Sequence, residues 1–134
     1  MNEQNLVLRP ENKDALAKRV WRNIGYGKDP DDEMTLEEFQ DRVQFGYQAG
    51  EGGLVFEEWK NEDQSVWWIH IYLPDPTKTP TFRTLKQLMV MCGQLGADFL
   101  AGRPVEKTRG FLKTLGFEPI DDEMWGIDVG SMHR

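Results

Sequence analysis

The stretch from Ser65 to Ile120 most constrains the fold, because its pattern predicts strand, helix, strand, helix and strand in succession. Its first strand, Val66–Leu73, has apolar residues on both of its faces. A strand of this kind is covered on both sides and lies inside a sheet. In the helix that follows, apolar residues are spaced i, i+3, i+4, i+7 and i+10 from Leu85 to Leu95. The stretch therefore predicts a central strand with helices packed on the sheet.

Length and composition predict one soluble domain. The 134 residues, taken as a single domain over 1–134, are long enough to bury a core. No apolar run approaches the roughly 20 residues of a membrane helix, and no signal peptide pattern opens the chain. One Cys excludes an internal disulfide, and two His with that Cys make a structural metal site improbable. We expect a cytoplasmic protein with no metal and no membrane partner.

The charge is unevenly distributed along the chain. The formal net charge of −7 argues against general nucleic-acid binding. Seven acids lie between Asp29 and Asp41, whereas seven bases and two acids lie between Lys78 and Lys113. These segments are either two solvated faces, or a contact surface on the acidic side and an anion site on the basic side.

The residues before Ser65 predict a strand, two helices and another strand. Thr35 and Glu38 have the spacing of a capping box, which predicts that a helix begins at Leu36. Asn12 is a suitable N-cap for the earlier helix. The predicted elements are a strand at 6–10, a helix at 12–24, a helix at 36–48 and a strand at 54–59.

The closing segment, Phe111–Phe117, is a helix end with the pattern Lys-x-Leu-Gly-Phe, and Leu8-Arg9-Pro10 opens the chain ahead of a helix. In these two pieces and in the order of elements, the chain resembles the GNAT (Gcn5-related N-acetyltransferase) family over nearly its whole length. The resemblance implies an α+β fold with a mixed, mostly antiparallel sheet and helices on both faces. One antiparallel strand before the central helix is missing, unless Tyr47–Ala49 forms a short strand.

The resemblance implies acetyl-coenzyme A as cofactor, with its pyrophosphate held by a glycine-rich loop at the start of the central helix. The corresponding stretch here, Thr77–Thr84, contains no glycine, and Pro80 has no N–H. Side chains and one strand-end backbone group are the candidate cofactor contacts that remain. These are Leu73, Lys78, Thr81, Arg83 and Thr84.

The resemblance also implies a proton donor and a base. Leu112 occupies the position where many members have the Tyr that protonates the thiolate. His70 and Glu57 are the candidate bases, and imidazole is a common general base in catalysis. The alternative for His70 is a side chain packed between Trp68 and Tyr72.

Two functional hypotheses follow. In the first, the chain keeps the GNAT-like fold, has impaired or lost acetyl transfer, needs no cofactor and binds a protein partner. In the second, it is an acetyl-coenzyme A-dependent N-acyltransferase with a diverged loop. The Phe-Leu-Lys-Thr run of the closing helix is also similar to GNAT-like internal virion proteins of short-tailed bacteriophages. That similarity favours a phage protein in the host cytoplasm or the virion, and it leaves self-association open.

Overall fold

The computed structural model describes residues 3–24, 34–60 and 63–131. Within them, α-helices and strands form an α+β structure in which helices pack on one sheet. The helices are α1 (Pro10–Ile24), α2 (Leu36–Arg42), α3 (Phe82–Gln94) and α4 (Glu106–Thr114). The strands are β1 (Leu6–Val7), β2 (Val43–Ala49), β3 (Gly52–Lys60), β4 (Ser65–Tyr72), β5 (Phe99–Gly102), β6 (Glu118–Pro119) and β7 (Trp125–Asp128).

The described strands form one seven-stranded sheet in the order β1-β2-β3-β4-β5-β7-β6. The pairs β1–β2, β2–β3, β5–β7 and β6–β7 are antiparallel. The pair β4–β5 is parallel, with Val66 opposite Phe99 and Trp68 opposite Ala101. The predicted fold class, a mixed and mostly antiparallel sheet with packed helices, is confirmed, and β4 is a central strand as expected.

The described residues divide into two compact units. The first unit contains residues 3–57 and 70–79, and the second contains residues 58–69 and 80–131. In the first unit, α1 and α2 pack on β2 around a buried apolar cluster. The members of this cluster are Val7, Leu16, Ala17, Val20, Phe39, Val43 and Val55.

The second unit is organised around α3 and the strands β5 and β7. The buried side of α3 carries Leu85, Leu88, Met89 and Cys92, which confirms the predicted apolar face except at Leu95, which follows the helix and is 55% exposed. Both α3 and α4 end in the same motif. Gly96 and Gly116 have φ of 110° and 97°, and the N–H groups after them, on Ala97 and Phe117, donate back into the preceding helix.

The predicted helix over 36–48 is wrong in its second half. It begins as predicted, because Thr35 accepts a 3.2 Å hydrogen bond from the Glu38 N–H. It ends at Arg42, and β2 follows directly as a strand over Val43–Ala49. Val43, Phe45 and Tyr47 alternate with polar or small residues, which suits a strand buried mainly through one set of side chains. The strand that was missing from the GNAT-like pattern is therefore present.

The start of α1 also differs from the prediction. α1 begins at Pro10, two residues before the predicted cap Asn12, because proline presets φ at a first helical position. α3 begins at Phe82, with Thr81 as its N-cap. Trp59, near the end of β3, is 38% exposed.

No helix in the described part of the chain is both long and apolar enough to span a membrane.

Replacing Gly52 by Ala should strongly destabilise the protein. A Cβ on Gly52 would lie 2.0 Å from the Tyr72 carbonyl oxygen, and backbone cannot move aside as a side chain end can. We expect the free energy of unfolding to fall by at least about 2 kcal/mol in urea denaturation.

Gly110 is the matched control for that change. It lies in the middle of α4 without a positive φ, and a Cβ there would meet nothing within 4 Å. Gly110→Ala should therefore raise stability by about 1 kcal/mol. Equal effects of the two substitutions would contradict the packing around Gly52.

Candidate functional site

The two residues predicted as bases, Glu57 and His70, lie together in the first unit. His70 Nε2 and Glu57 Oε1 are 2.8 Å apart, on the neighbouring strands β4 and β3. Glu57 is fully buried and His70 is 8% exposed. Glu57 Oε2 has no hydrogen-bond partner in the described part of the chain. The arrangement is a buried, directly bonded carboxylate–imidazole pair.

Aromatic rings from two helices cover this pair. The Phe39 ring of α2 meets the His70 ring edge-on, with centroids 5.3 Å apart and an interplanar angle of 67°. The ring centroids of Trp21 of α1 and Phe39 are 5.0 Å apart. The pair is therefore enclosed in the α1–α2 core and is not presented on an open surface.

The segment after β4 is held by its own side chains. Asp75 caps the 3-10 helix Pro76–Lys78 by accepting hydrogen bonds from the Thr77 hydroxyl (2.7 Å) and N–H (3.0 Å). These two bonds lower the pKa of the Asp75 carboxyl. The aliphatic stem of Lys78 lies over Gly50, where a Cβ would be 3.0 Å from Lys78 Cγ. Lys78 and the half-buried Leu73 belong to the first unit.

The other three predicted cofactor residues lie at the start of α3, in the second unit. The Thr81 hydroxyl accepts from the Thr84 N–H at 3.2 Å and lies 3.0 Å from the Thr84 hydroxyl. The Thr81 carbonyl accepts from the Leu85 N–H. The two hydroxyls thus bond to each other and to the helix start, while the Arg83 side chain is exposed.

Leu112 of α4 occupies an enclosed position in the second unit. It is 1% exposed, and both of its methyl groups would lie 3.1 Å from a Cβ on Gly102 at the end of β5. Ile69 of β4 approaches the same point at 3.3 Å. The end of β5 at Gly102 is therefore packed by aliphatic carbon from Leu112 and Ile69, and Leu112 is at the position that the resemblance assigns to a proton donor. The lone Gly102 at a strand end was the sequence signal for this close approach, and it was missed.

The described residues offer neither a reactive cysteine nor a metal site. Cys92 is buried in α3, and its burial raises the pKa of its thiol, so it is not a ready nucleophile. No group of three or more His, Cys, Asp or Glu residues is placed to hold a metal ion in the described part of the chain. A surface depression of about 290 Å³ is lined in part by Asp63, Asp98 and Asp128. The Asp98 and Asp128 carboxylates accept hydrogen bonds from the N–H groups of Ser65 and Ser131.

The two predicted charged surfaces are partly described. Of the acidic segment, Glu37, Glu38 and Asp41 are exposed on α2, whereas residues 29–33 lie outside the described residues. Lys86 is half-buried, because it donates a hydrogen bond to the Leu115 carbonyl. The exposed bases of the other segment are Lys78, Arg83, Arg103, Arg109 and Lys113.

No protein-family model matches this chain, and comparison with curated proteins likewise found no match.

Replacing Thr81 by Ala should remove the side-chain cap of α3. The expected loss is about 1 kcal/mol of unfolding free energy, because the Thr84 N–H then has no side-chain acceptor. Thr81→Ser keeps the oxygen and should restore most of the stability. A Thr81→Ala protein as stable as the parent, measured by thermal and urea unfolding, would contradict this capping arrangement.

Proposed function

We propose that this chain is a GNAT-like protein that binds a protein partner and has lost acetyl transfer. The observation that carries the proposal is the packing of Leu112 against Gly102 and Ile69. A buried aliphatic side chain cannot donate a proton to a leaving thiolate. It also fills the space beside Gly102, at the end of β5, with carbon.

The start of α3 supports the same conclusion. Anion-binding loops use small residues so that backbone N–H groups converge on a phosphate. Here Pro80 has no N–H, and the Thr84 N–H is already bonded to the Thr81 hydroxyl. Phe82, which follows directly, is bulky and 49% exposed. These features disfavour a coenzyme pyrophosphate at this helix start.

Exposed apolar side chains in the second unit support a binding role. Large hydrophobic residues that remain in water are candidates for contact with a partner. Phe82, Leu95, Val105 and Ile120 are each about half exposed, and Lys86 Nζ lies 5.3 Å from the Phe82 ring centroid. Together with the exposed bases of α4 and its flanks, these side chains give the second unit apolar and basic groups that suit an acidic, partly apolar partner. The similarity of the closing helix to phage internal virion proteins supports a particle component or a host protein as that partner.

Calorimetric titration with acetyl-coenzyme A tests the loss of the cofactor. We expect no binding heat up to millimolar ligand, because neither the loop nor the strand ends offer a formed site. Arg83→Glu, which reverses the exposed charge at the start of α3, should give the same flat titration. Micromolar binding that Arg83→Glu abolishes would overturn this part of the proposal.

Partner capture tests the binding role with matched surface variants. A protein retained by the immobilised chain should be identified and its affinity measured with the purified pair. Phe82→Glu and Val105→Glu should weaken that affinity at least tenfold, because each places a charge on the second unit's apolar surface. Leu8→Glu is the control, since Leu8 is 57% exposed but belongs to the first unit. Equal losses in all three variants would contradict a binding surface on the second unit.

A second candidate function is acetyl-coenzyme A-dependent N-acyl transfer. The observation that favours it is the 2.8 Å bond between His70 and Glu57, because a carboxylate that orients an imidazole is a common base arrangement. In that reaction, His70 would take the amine proton and water would serve as acid. Turnover of acetyl-coenzyme A with an amine, lost in His70→Gln, would establish this function instead.

A further inference from the structure

One face of the sheet in the second unit is lined with apolar side chains that stay partly exposed. Residues paired directly across neighbouring strands carry their side chains on the same face of a sheet. The β4–β5 and β5–β7 pairings therefore put one set of residues on a single face: Val66, Trp68, Phe99, Ala101, Gly126 and Asp128. Ile120 joins them, because its Cδ1 atom lies 2.5 Å from where a Cβ on Gly126 would stand. Ile120 is 51% exposed, and Val66, Trp68 and Phe99 are half-buried.

The helices of the second unit pack on the opposite face. A Cβ on Gly116, directly after α4, would lie 3.3 Å from Ile127 Cδ1 in β7. Ile127 lies between two residues of the first set, so its side chain points to the other side of the sheet. α3 lies beside α4, because Lys86 Nζ donates a 3.3 Å hydrogen bond to the Leu115 carbonyl. The first set of residues therefore faces away from both described helices of this unit.

Acidic side chains accompany the apolar ones on this face. Glu118 of β6 is paired with Gly126 and so shares the face with Asp128. The turn between β6 and β7 adds three exposed acids, Asp121–Glu123, and no base occurs between residues 117 and 131. We define the open sheet face as Val66, Trp68, Phe99, Glu118, Ile120 and Asp128. It combines apolar and negatively charged side chains.

The exposed side of α4 has the opposite charge. It carries three exposed bases and one exposed acid, Glu106, together with an exposed apolar side chain at each end. Phe82 belongs to this surface, because its ring lies 5.3 Å from Lys86 Nζ, which itself bonds to the C-cap carbonyl of α4. We define the basic helix surface as Phe82, Arg103, Val105, Arg109 and Lys113. Since α4 packs on the covered face, this surface and the open sheet face lie on opposite sides of one sheet.

We propose that the open sheet face of one copy of this chain binds the basic helix surface of a second copy. The two surfaces offer each other apolar contact and opposite charge, and complementary charge selects partners and speeds their encounter. The inference rests on the proposed binding role of the second unit and names the chain itself as the partner. Because the two surfaces differ, the contact is heterologous, and it continues from copy to copy into a ring or an open filament.

Sedimentation velocity of the full chain tests self-association. In low salt, the weight-average mass should rise above that of the monomer between micromolar and millimolar concentrations, and added salt should reverse the rise by screening the charges. A chain that stays monomeric up to millimolar concentration would overturn the proposal. The binding role of the second unit would survive that result if Phe82→Glu and Val105→Glu still weakened the affinity for a captured foreign protein.

Two double variants each remove one of the surfaces. Glu118→Lys with Ile120→Lys places positive charge on the open sheet face, where it repels the basic helix surface. Phe82→Gln with Lys113→Gln removes an aromatic ring and a charge from the basic helix surface. Each variant alone should associate at least about tenfold more weakly than the parent, because every contact uses both surfaces.

Leu8→Lys with Glu37→Lys is the matched control for the sheet-face variant. It also replaces one acid and one exposed apolar side chain by lysine, but both positions are exposed on the first unit. The control should associate as the parent does. An equal loss in the control and the sheet-face variant would contradict the proposal, because net charge alone would then explain the effect.

An equimolar mixture of the two double variants tests the heterologous geometry. Each variant retains the surface that the other has lost, so the mixture should form a dimer with one copy of each and nothing larger. A contact between identical surfaces would give no such recovery. Two folded variants that stay monomeric when mixed would overturn the proposal. If thermal unfolding shows that the sheet-face variant does not fold, Glu118→Lys alone replaces it, since Glu118 is exposed.

Discussion

The parallel pairing of β4 with β5 is the constraint on which the architecture depends. Two parallel strands cannot be joined by a hairpin, so the chain must leave the sheet between them and return. Here α3 makes that connection, and its buried residues cover the sheet where Val66–Trp68 pairs with Phe99–Ala101. The pairing also places β4 inside the sheet, between β3 and β5. The remaining described pairs with a determined direction are antiparallel.

The observations behind the proposed loss of acetyl transfer all concern what occupies the predicted sites. At the end of β5, Leu112 and Ile69 pack around Gly102. At the start of α3, the hydroxyls of Thr81 and Thr84 bond to each other and to the helix. The polar pair of the first unit lies beneath Phe39 in the core. The two hydroxyls at the start of α3 and the His70–Glu57 pair thus form hydrogen bonds within the chain.

Much of the fold could be predicted because the signals were local. The apolar spacing of α3, the glycines that end α3 and α4, and the Thr35 cap all act within a few residues, and they are observed where the sequence placed them. The second half of the helix predicted over 36–48 was wrong because a contact between distant residues outweighed the local signal. Its local pattern suits a helix, but pairing with β1 and β3 stabilises Val43–Ala49 as a strand. Tertiary pairing overrides a weak local preference.

The sequence by itself determined the central strand, the helix that follows it, the absence of a glycine-rich loop and the aliphatic residue in place of a proton donor. These follow from residue identity and short spacing. Only the tertiary structure decided that Glu57 bonds His70, that Leu112 packs on Gly102 and that Lys78 lies over Gly50. Those contacts join residues that are 10 or more positions apart, and their geometry depends on strand order and register. The physical reason is that the chemistry of each side chain is a property of the sequence, whereas strand order and register decide which side chains come into contact.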